Sequence, residues 1–204
     1  MEKGLAIITG ADGGMGQVIT AALAKEGYPV IMACLDPEKT ASLCNRIQQE
    51  TGNTQIEVRR IDLASLSSVN NFTGQLLKEG RPVSRLMNNA GILTTPVRKT
   101  EDGLETIVSV NYVAPYMLTR QLLPLMQPGC RIVNTVSCTY AIGRIEPDFF
   151  EKGRNGRFFR IPVYSNTKLA LLLFTQELAE RLQNQGITIN ASDPGLSLIH
   201  ISEP

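Results

Sequence analysis

A phenol and an ammonium four residues apart on a helix can pass a proton between them and a third group. Tyr164-Ser165-Asn166-Thr167-Lys168 is predicted to open a helix running to about Gln185, and the i, i+4 spacing puts Tyr164 and Lys168 on one face. With a pKa of about 10 a phenol is too weak an acid to work as a base at neutral pH, but a neighbouring ammonium is expected to lower that value. The pair can then exchange a proton with an alcohol or a carbonyl. The spacing is common on solvated helices, so it carries weight only in combination.

A second feature lies near the N-terminus, where Thr9-Gly10-Ala11-Asp12-Gly13-Gly14-Met15-Gly16 follows a short apolar run and leads into a helix ending near Glu26. Glycines let the chain turn tightly and approach a pyrophosphate, whose charge the helix N-terminus stabilises. Glycine-rich strand-to-helix turns also occur without nucleotides, and the absence of Gly-Lys-Ser/Thr disfavours a P-loop. About 20 positions on, Asp36 stands where an acid would bind a ribose 2′-hydroxyl. It could equally cap the helix that starts at Pro37. No Arg or Lys occupies the turn or the end of the second strand, and Lys39 is the nearest cation, so the dinucleotide choice leans to NAD over NADP.

The elements that must hold these groups alternate. Leu5 to Thr9, Pro29 to Cys34, Gln55 to Ile61, Arg85 to Asn88, Arg131 to Ser137 and Ile187 to Ala191 read as strands separated by helices. That alternation predicts an α/β fold with a doubly wound parallel sheet. Asp36 or Pro37 and Ser65 open helices, while Gly27, Gly52, Gly80 and Gly186 follow helix ends. The connection Thr139 to Pro162 is out of scale, with aromatic pairs Phe149-Phe150 and Phe158-Phe159 that either pack the loop down or line a pocket. Pro115 follows Asn111 by four residues; in a continuous helix it leaves the Asn111 carbonyl free for water, and otherwise it kinks or starts a helix with Asn111 outside.

At 204 residues the chain fits one α/β domain, and a net charge of +1 nominates neither nucleic acid nor a cationic partner. A small-molecule ligand is expected. Cys34, Cys44, Cys130 and Cys138 lack CxxC pairing, which suggests a reducing compartment, and no run is long enough for a signal h-region or a membrane span. A cytoplasmic protein without membrane contact is expected. The lone His200 has no clustered partners, so no metal site is predicted.

Thr9-Gly10-x-x-x-Gly14-x-Gly16, Asn88-Asn89-Ala90-Gly91, Asn111, Ser137 and Tyr164-x-x-x-Lys168, in this order, resemble the short-chain dehydrogenase/reductase family. The likeness runs from Leu5 to Gly195 and includes Asp62-Leu63 and Asp193-Pro194-Gly195. It implies a Rossmann-type sheet in the order 3-2-1-4-5-6 and a nicotinamide cofactor, NAD or NADP. It also implies roles: Tyr164 as general acid/base, with Lys168 on the nicotinamide ribose and lowering the phenol pKa. Ser137 would bind the substrate oxygen, and Asn111 would anchor a water in a proton relay. Thr9, Gly10, Asp12, Gly14, Met15, Gly16, Asp36, Asp62, Leu63, Asn89, Ala90, Gly91, Pro194 and Gly195 would join Tyr164 and Lys168 in holding the dinucleotide. The substrate would be an alcohol or carbonyl, and the helices bearing Asn111 and Tyr164 make a homo-oligomer plausible.

The long segment between Ser137 and Tyr164, with Cys34-Leu35-Asp36-Pro37-Glu38-Lys39, is similar to retinol-dehydrogenase-like and protochlorophyllide-reductase-like members. Those commonly carry Arg where Leu35 stands. Family members continue past Pro194-Gly195 into a substrate-binding segment and a seventh strand. Residues 196–204 read as foreign, matching what a transposon-end adapter would encode. The expectation is a dinucleotide-binding domain over 1–195, incomplete at its C-terminus, and a non-native tail over 196–204. Against an enzyme stand two alternatives: a regulatory cofactor-binding protein, and a catalytically defective fragment.

Overall fold

A computed structural model describes residues 3–93, 98–150 and 157–195. Six parallel strands form one sheet: β1 (Leu5–Thr9), β2 (Val30–Cys34), β3 (Ile56–Arg60), β4 (Val83–Asn88), β5 (Met126–Thr135) and β6 (Thr188–Ser192). Their spatial order is β3-β2-β1-β4-β5-β6, the doubly wound arrangement expected from the sequence. The helices are α1 (Gly14–Lys25), α2 (Pro37–Thr51), α3 (Leu66–Glu79), α4 (Thr106–Val108), α5 (Ala114–Leu122) and α6 (Arg157–Leu182). Residues 196–204, with His200 and the expected foreign tail, lie outside the described residues.

Both faces of the sheet are covered, which is why β1 and β2 are buried along their whole length and almost wholly apolar. Side chains alternate across the pleat. Ala6, Ile8, Val30 and Met32 face one way and pack with Leu23, Cys44 and Ile47 of α1 and α2. Leu5, Ile7, Ile31 and Ala33 face the other way, toward Phe72, Leu118 and Leu178 of α3, α5 and α6. The caps follow the sequence: Asp36 and Ser65 accept N–H groups of Lys39 and Ser68, and Gly52 and Gly80 close their helices in the left-handed region.

The larger differences from expectation are at β5, at α6 and around Asn111. The strand predicted from Arg131 begins at Met126, because residues 127–130 form an irregularity against β4 around Gly129, whose φ is +93°. The helix expected to open at Tyr164 begins at Arg157, so the long connection is partly helical and also carries a 3-10 turn at Cys138–Ile142. Pro162 lies inside this helix, in its second turn, where it removes one hydrogen bond without ending the helix. Asn111 sits inside a π-helical turn, Ser109–Val113, that joins α4 to α5. In this register the Ala114 N–H reaches the Ser109 carbonyl, and the wide turn accommodates Pro115 without a break.

Candidate active site

In a doubly wound sheet the crevice opens at the strands' C-terminal ends where the order reverses, here between β1 and β4. A groove of about 690 Å³ lies there. Following the strand order, Asp62 and Leu63 after β3 line one end, Gly10, Asp12, Gly14, Met15 and Gly16 after β1 with Asn89, Ala90 and Gly91 after β4 the middle, and Ser137, Tyr164, Lys168, Pro194 and Gly195 the other. Thus the structure gathers most of the expected residues around one cavity.

The turn is shaped by backbone contact. A Cβ at Gly16 would collide with the Gly10 carbonyl oxygen and come within 2.8 Å of the Ala11 Cα, so only glycine fits. Helix α1 starts there with Gly13 as N-cap and no side-chain cap, leaving its first N–H groups available to an anion. Thr9 does not line the groove. Its Oγ1 accepts the N–H groups of Asn89 (3.0 Å) and Ala90 (3.1 Å), and Asn89 Nδ2 donates to the Thr9 and Gly10 carbonyls. The glycine turn is therefore tied to the end of β4, and the Asn89 Oδ1 is buried without a protein partner.

Asp36 is also absent from the lining. Its carboxylate accepts the Lys39 N–H at 3.2 Å and pairs with the Lys39 ammonium at 3.2 Å, contacts that hold its pKa below the ordinary range. Of its two possible uses the structure shows the cap, and Cys34 and Leu35 face the groove instead. Asp62 does face it, with Oδ1 accepting the Ala64 N–H at 2.8 Å.

At the far end Ser137 caps the 3-10 turn through Thr139 and lines the groove together with the Tyr164 phenol. Lys168, only 2 % exposed, donates from Nζ to the Thr135 carbonyl at 2.8 Å, with Nζ 5.4 Å from the Tyr164 ring centroid. Burial pushes its pKa from 10.5 down to about 8. The Tyr164 pKa lies above its ordinary value rather than below: burial raises it, the nearby Ser137 hydroxyl opposes, and Asp193 and Cys138 add to the rise. The expected depression by Lys168 is absent because desolvation disfavours both charged forms.

Asn111 is buried behind the groove. Its Oδ1 accepts the Ile92 N–H at 2.8 Å, its Nδ2 donates to the Ile92 carbonyl at 2.9 Å, and Thr167 Oγ1 lies 3.5 Å away. A Cβ on Gly91 would lie 3.4 Å from the Lys168 Nζ and 3.6 Å from the Asn111 Oδ1, so the three groups meet at the groove wall.

Sequence reasoning missed the supports. Asn88 Nδ2 donates to Asn134 Oδ1 (2.7 Å) and Thr119 Oγ1 (2.9 Å), and Asn134 Nδ2 donates to Thr175 Oγ1 (2.9 Å), a buried tie between β4, β5, α5 and α6. The only signal was polar residues inside apolar strands. Asn166 Oδ1 accepts the Arg144 N–H at 2.7 Å and fixes the segment after Ser137. The buried pair of Glu105 with Arg160 left no mark in the spacing.

A Rossmann-type α/β protein with a glycine turn and a Tyr-Lys pair on one groove is the class that the fold and the site define. The family model for short chain dehydrogenase matches residues 4–147, and the chain belongs to that family. It is 37% identical over 193 residues to human (Homo sapiens) retinol dehydrogenase 13, covering 94% of this chain and 58% of the relative. Mouse (Mus musculus) retinol dehydrogenase 12 is 38% identical over 198 residues, covering 96% and 62%. The chain thus spans about three fifths of these relatives. A solved protein from Mycobacterium Paratuberculosis superposes with a TM-score of 0.82 at 35% identity, covering 98% of this chain and 71% of that one. The fold also matches a bulky-bulky ketone specific alcohol dehydrogenase from Comamonas testosteroni, TM-score 0.75 at 23% identity, covering 96% and 74%. Among the described residues no helix is long and apolar enough to cross a membrane, and no cluster of potential metal ligands occurs.

Proposed function

We propose that residues 1–195 form the dinucleotide-binding and catalytic part of an oxidoreductase that interconverts an alcohol and a carbonyl. The observation that carries this reading is the Ser137 hydroxyl, the Tyr164 phenol and the buried Lys168 together on the groove that opens at the glycine turn. The residues fit a nicotinamide dinucleotide: the uncapped N-terminus of α1 suits a pyrophosphate, and the unpartnered Asn89 Oδ1 offers an acceptor at the groove wall. When bound, the cofactor supplies or accepts the hydride.

The chain's own groups handle the proton. Ser137 polarises the substrate oxygen and sets its position, and Tyr164 donates a proton to that oxygen as it gains charge. A phenol held above its ordinary pKa remains protonated at neutral pH, which favours the carbonyl-to-alcohol direction. Lys168, with its pKa near 8, stays largely charged at neutral pH and is placed to hold ribose hydroxyls. Asn111 fixes the Ile92 backbone and leaves a water-relay role to its main chain.

NAD is the dinucleotide we favour. Near the adenine end Lys39 is paired with Asp36 and Arg46 with Glu50, and Asp12 adds a negative charge, a poor setting for a 2′-phosphate. Exposed Tyr116 on α5 and Leu173 on α6 support pairing of two copies through these helices, which sedimentation would detect.

The test is Tyr164→Phe assayed with NADH and NADPH on lipophilic ketones and aldehydes. Turnover is expected to fall about 10²–10⁴-fold with dinucleotide affinity unchanged. Equal turnover in the variant would refute the acid/base role. Dinucleotide binding with no turnover in the parent chain would favour a regulatory or defective protein, and tighter binding of NADPH than NADH would overturn the cofactor choice.

A further inference from the structure

Glu105 and Arg160 form an ion pair almost sealed from solvent, at 1 % and 0 % exposure. The Arg160 Nη2 donates to Glu105 Oε1, while Oε2 of the same carboxylate accepts the Val108 N–H at 3.1 Å and caps α4. One acid thus joins two elements. On one side stand Thr106 and Val110, which line the groove. On the other is α6, where Arg160 precedes Tyr164 by one turn on the same face.

Around the pair lies a small apolar cluster of Ile107, Val108, Phe149, Val163 and Ala170, against which Tyr164 packs. Apolar burial is non-directional and alone would let this turn of helix rotate or slide. Guanidinium donors on a carboxylate fixed by its own capping bond favour one geometry. A buried pair adds little net stability compared with apolar residues of similar volume, so its contribution lies in that geometry.

We propose that the Glu105–Arg160 pair is a positioning device that fixes the turn of α6 before Tyr164 and so aims the phenol at the reacting oxygen. The inference rests on the reading of Tyr164 as the acid/base, and neither residue of the pair lines the groove.

The experiment compares Arg160→Met, Glu105→Gln and the double variant with the parent chain, in melting temperature, dinucleotide affinity and kcat. Arg160→Met strands a buried carboxylate, so the melting temperature drops and kcat falls about 10²-fold, with dinucleotide affinity unchanged. The double variant carries neither charge and keeps an acceptor for the Val108 N–H. Its melting temperature is expected to rise above that of Arg160→Met while kcat stays low. Recovery of kcat along with stability overturns the proposal, as does dinucleotide affinity that falls in step with kcat. If Arg160→Met does not fold, Arg160→Lys decides: retained stability with reduced kcat supports the proposal, and retention of both overturns it.

A readout independent of turnover separates this inference from the functional reading. With tyrosine labelled at ¹³Cζ and the Tyr164 line assigned through Tyr164→Phe, one sharp resonance is expected in the parent chain. A shifted, doubled or broadened line in the double variant supports positioning even if the parent turns over nothing. An unchanged line overturns it.

Discussion

Replacing Lys168 with Met separates what the lysine costs the fold from what it does in the groove. The ammonium is 2 % exposed, and burial lowers its pKa from 10.5 to about 8. The folded protein therefore binds this proton less tightly than the unfolded chain does. At ~1.4 kcal/mol per pH decade, that difference costs the fold about 3 kcal/mol at neutral pH, where both states are protonated. Between about pH 8 and pH 10.5 the unfolded chain keeps a proton that the folded protein has released, so stability rises through this window. Above it the cost is gone. Lys168→Met removes the cost but forfeits the hydrogen bond of the charged Nζ to the Thr135 carbonyl, worth about 2 kcal/mol. The variant is expected to be about 1 kcal/mol more stable than the parent at pH 7, with the advantage shrinking to nothing or reversing by pH 10.5. Urea unfolding followed by circular dichroism at both pH values, without dinucleotide, measures the difference. A variant less stable at pH 7, or a gap that does not change with pH, refutes the reasoning.

Gly16→Ala drives a methyl group into the Gly10 carbonyl and toward the Ala11 Cα, forcing the turn open. Dinucleotide affinity, measured by titration calorimetry, should weaken about tenfold or more, from an overpacking strain of ~1–3 kcal/mol. Ser65→Ala removes the cap on the Ser68 N–H and should lower stability by about 1 kcal/mol in urea unfolding, leaving turnover in place. Leu118→Ala empties a fully buried site between sheet and helices and should cost about 3 kcal/mol by the same assay; a loss below about 1 kcal/mol would mean that the core had collapsed around it.

The features legible in the sequence are those whose cause is local. A glycine that must let two stretches of backbone touch, a proline or serine at a helix start, and a Tyr and Lys one turn apart act over a few residues, and the structure keeps each where spacing put it. The alternation of six strands with helices likewise carried the sheet class, because parallel strands need a crossover between them, and it agrees with the strand order in the structure. Tertiary structure decided what depends on groups distant in sequence. Asp36 had two chemically adequate uses, and nothing short of the packed chain could choose the cap over the groove. In the first turn of α6 Arg160 meets a carboxylate 55 residues away, a contact that no local pattern encodes. The direction of the Tyr164 pKa was set by burial, which belongs to the folded state and which the i, i+4 spacing of Tyr164 and Lys168 could not reveal.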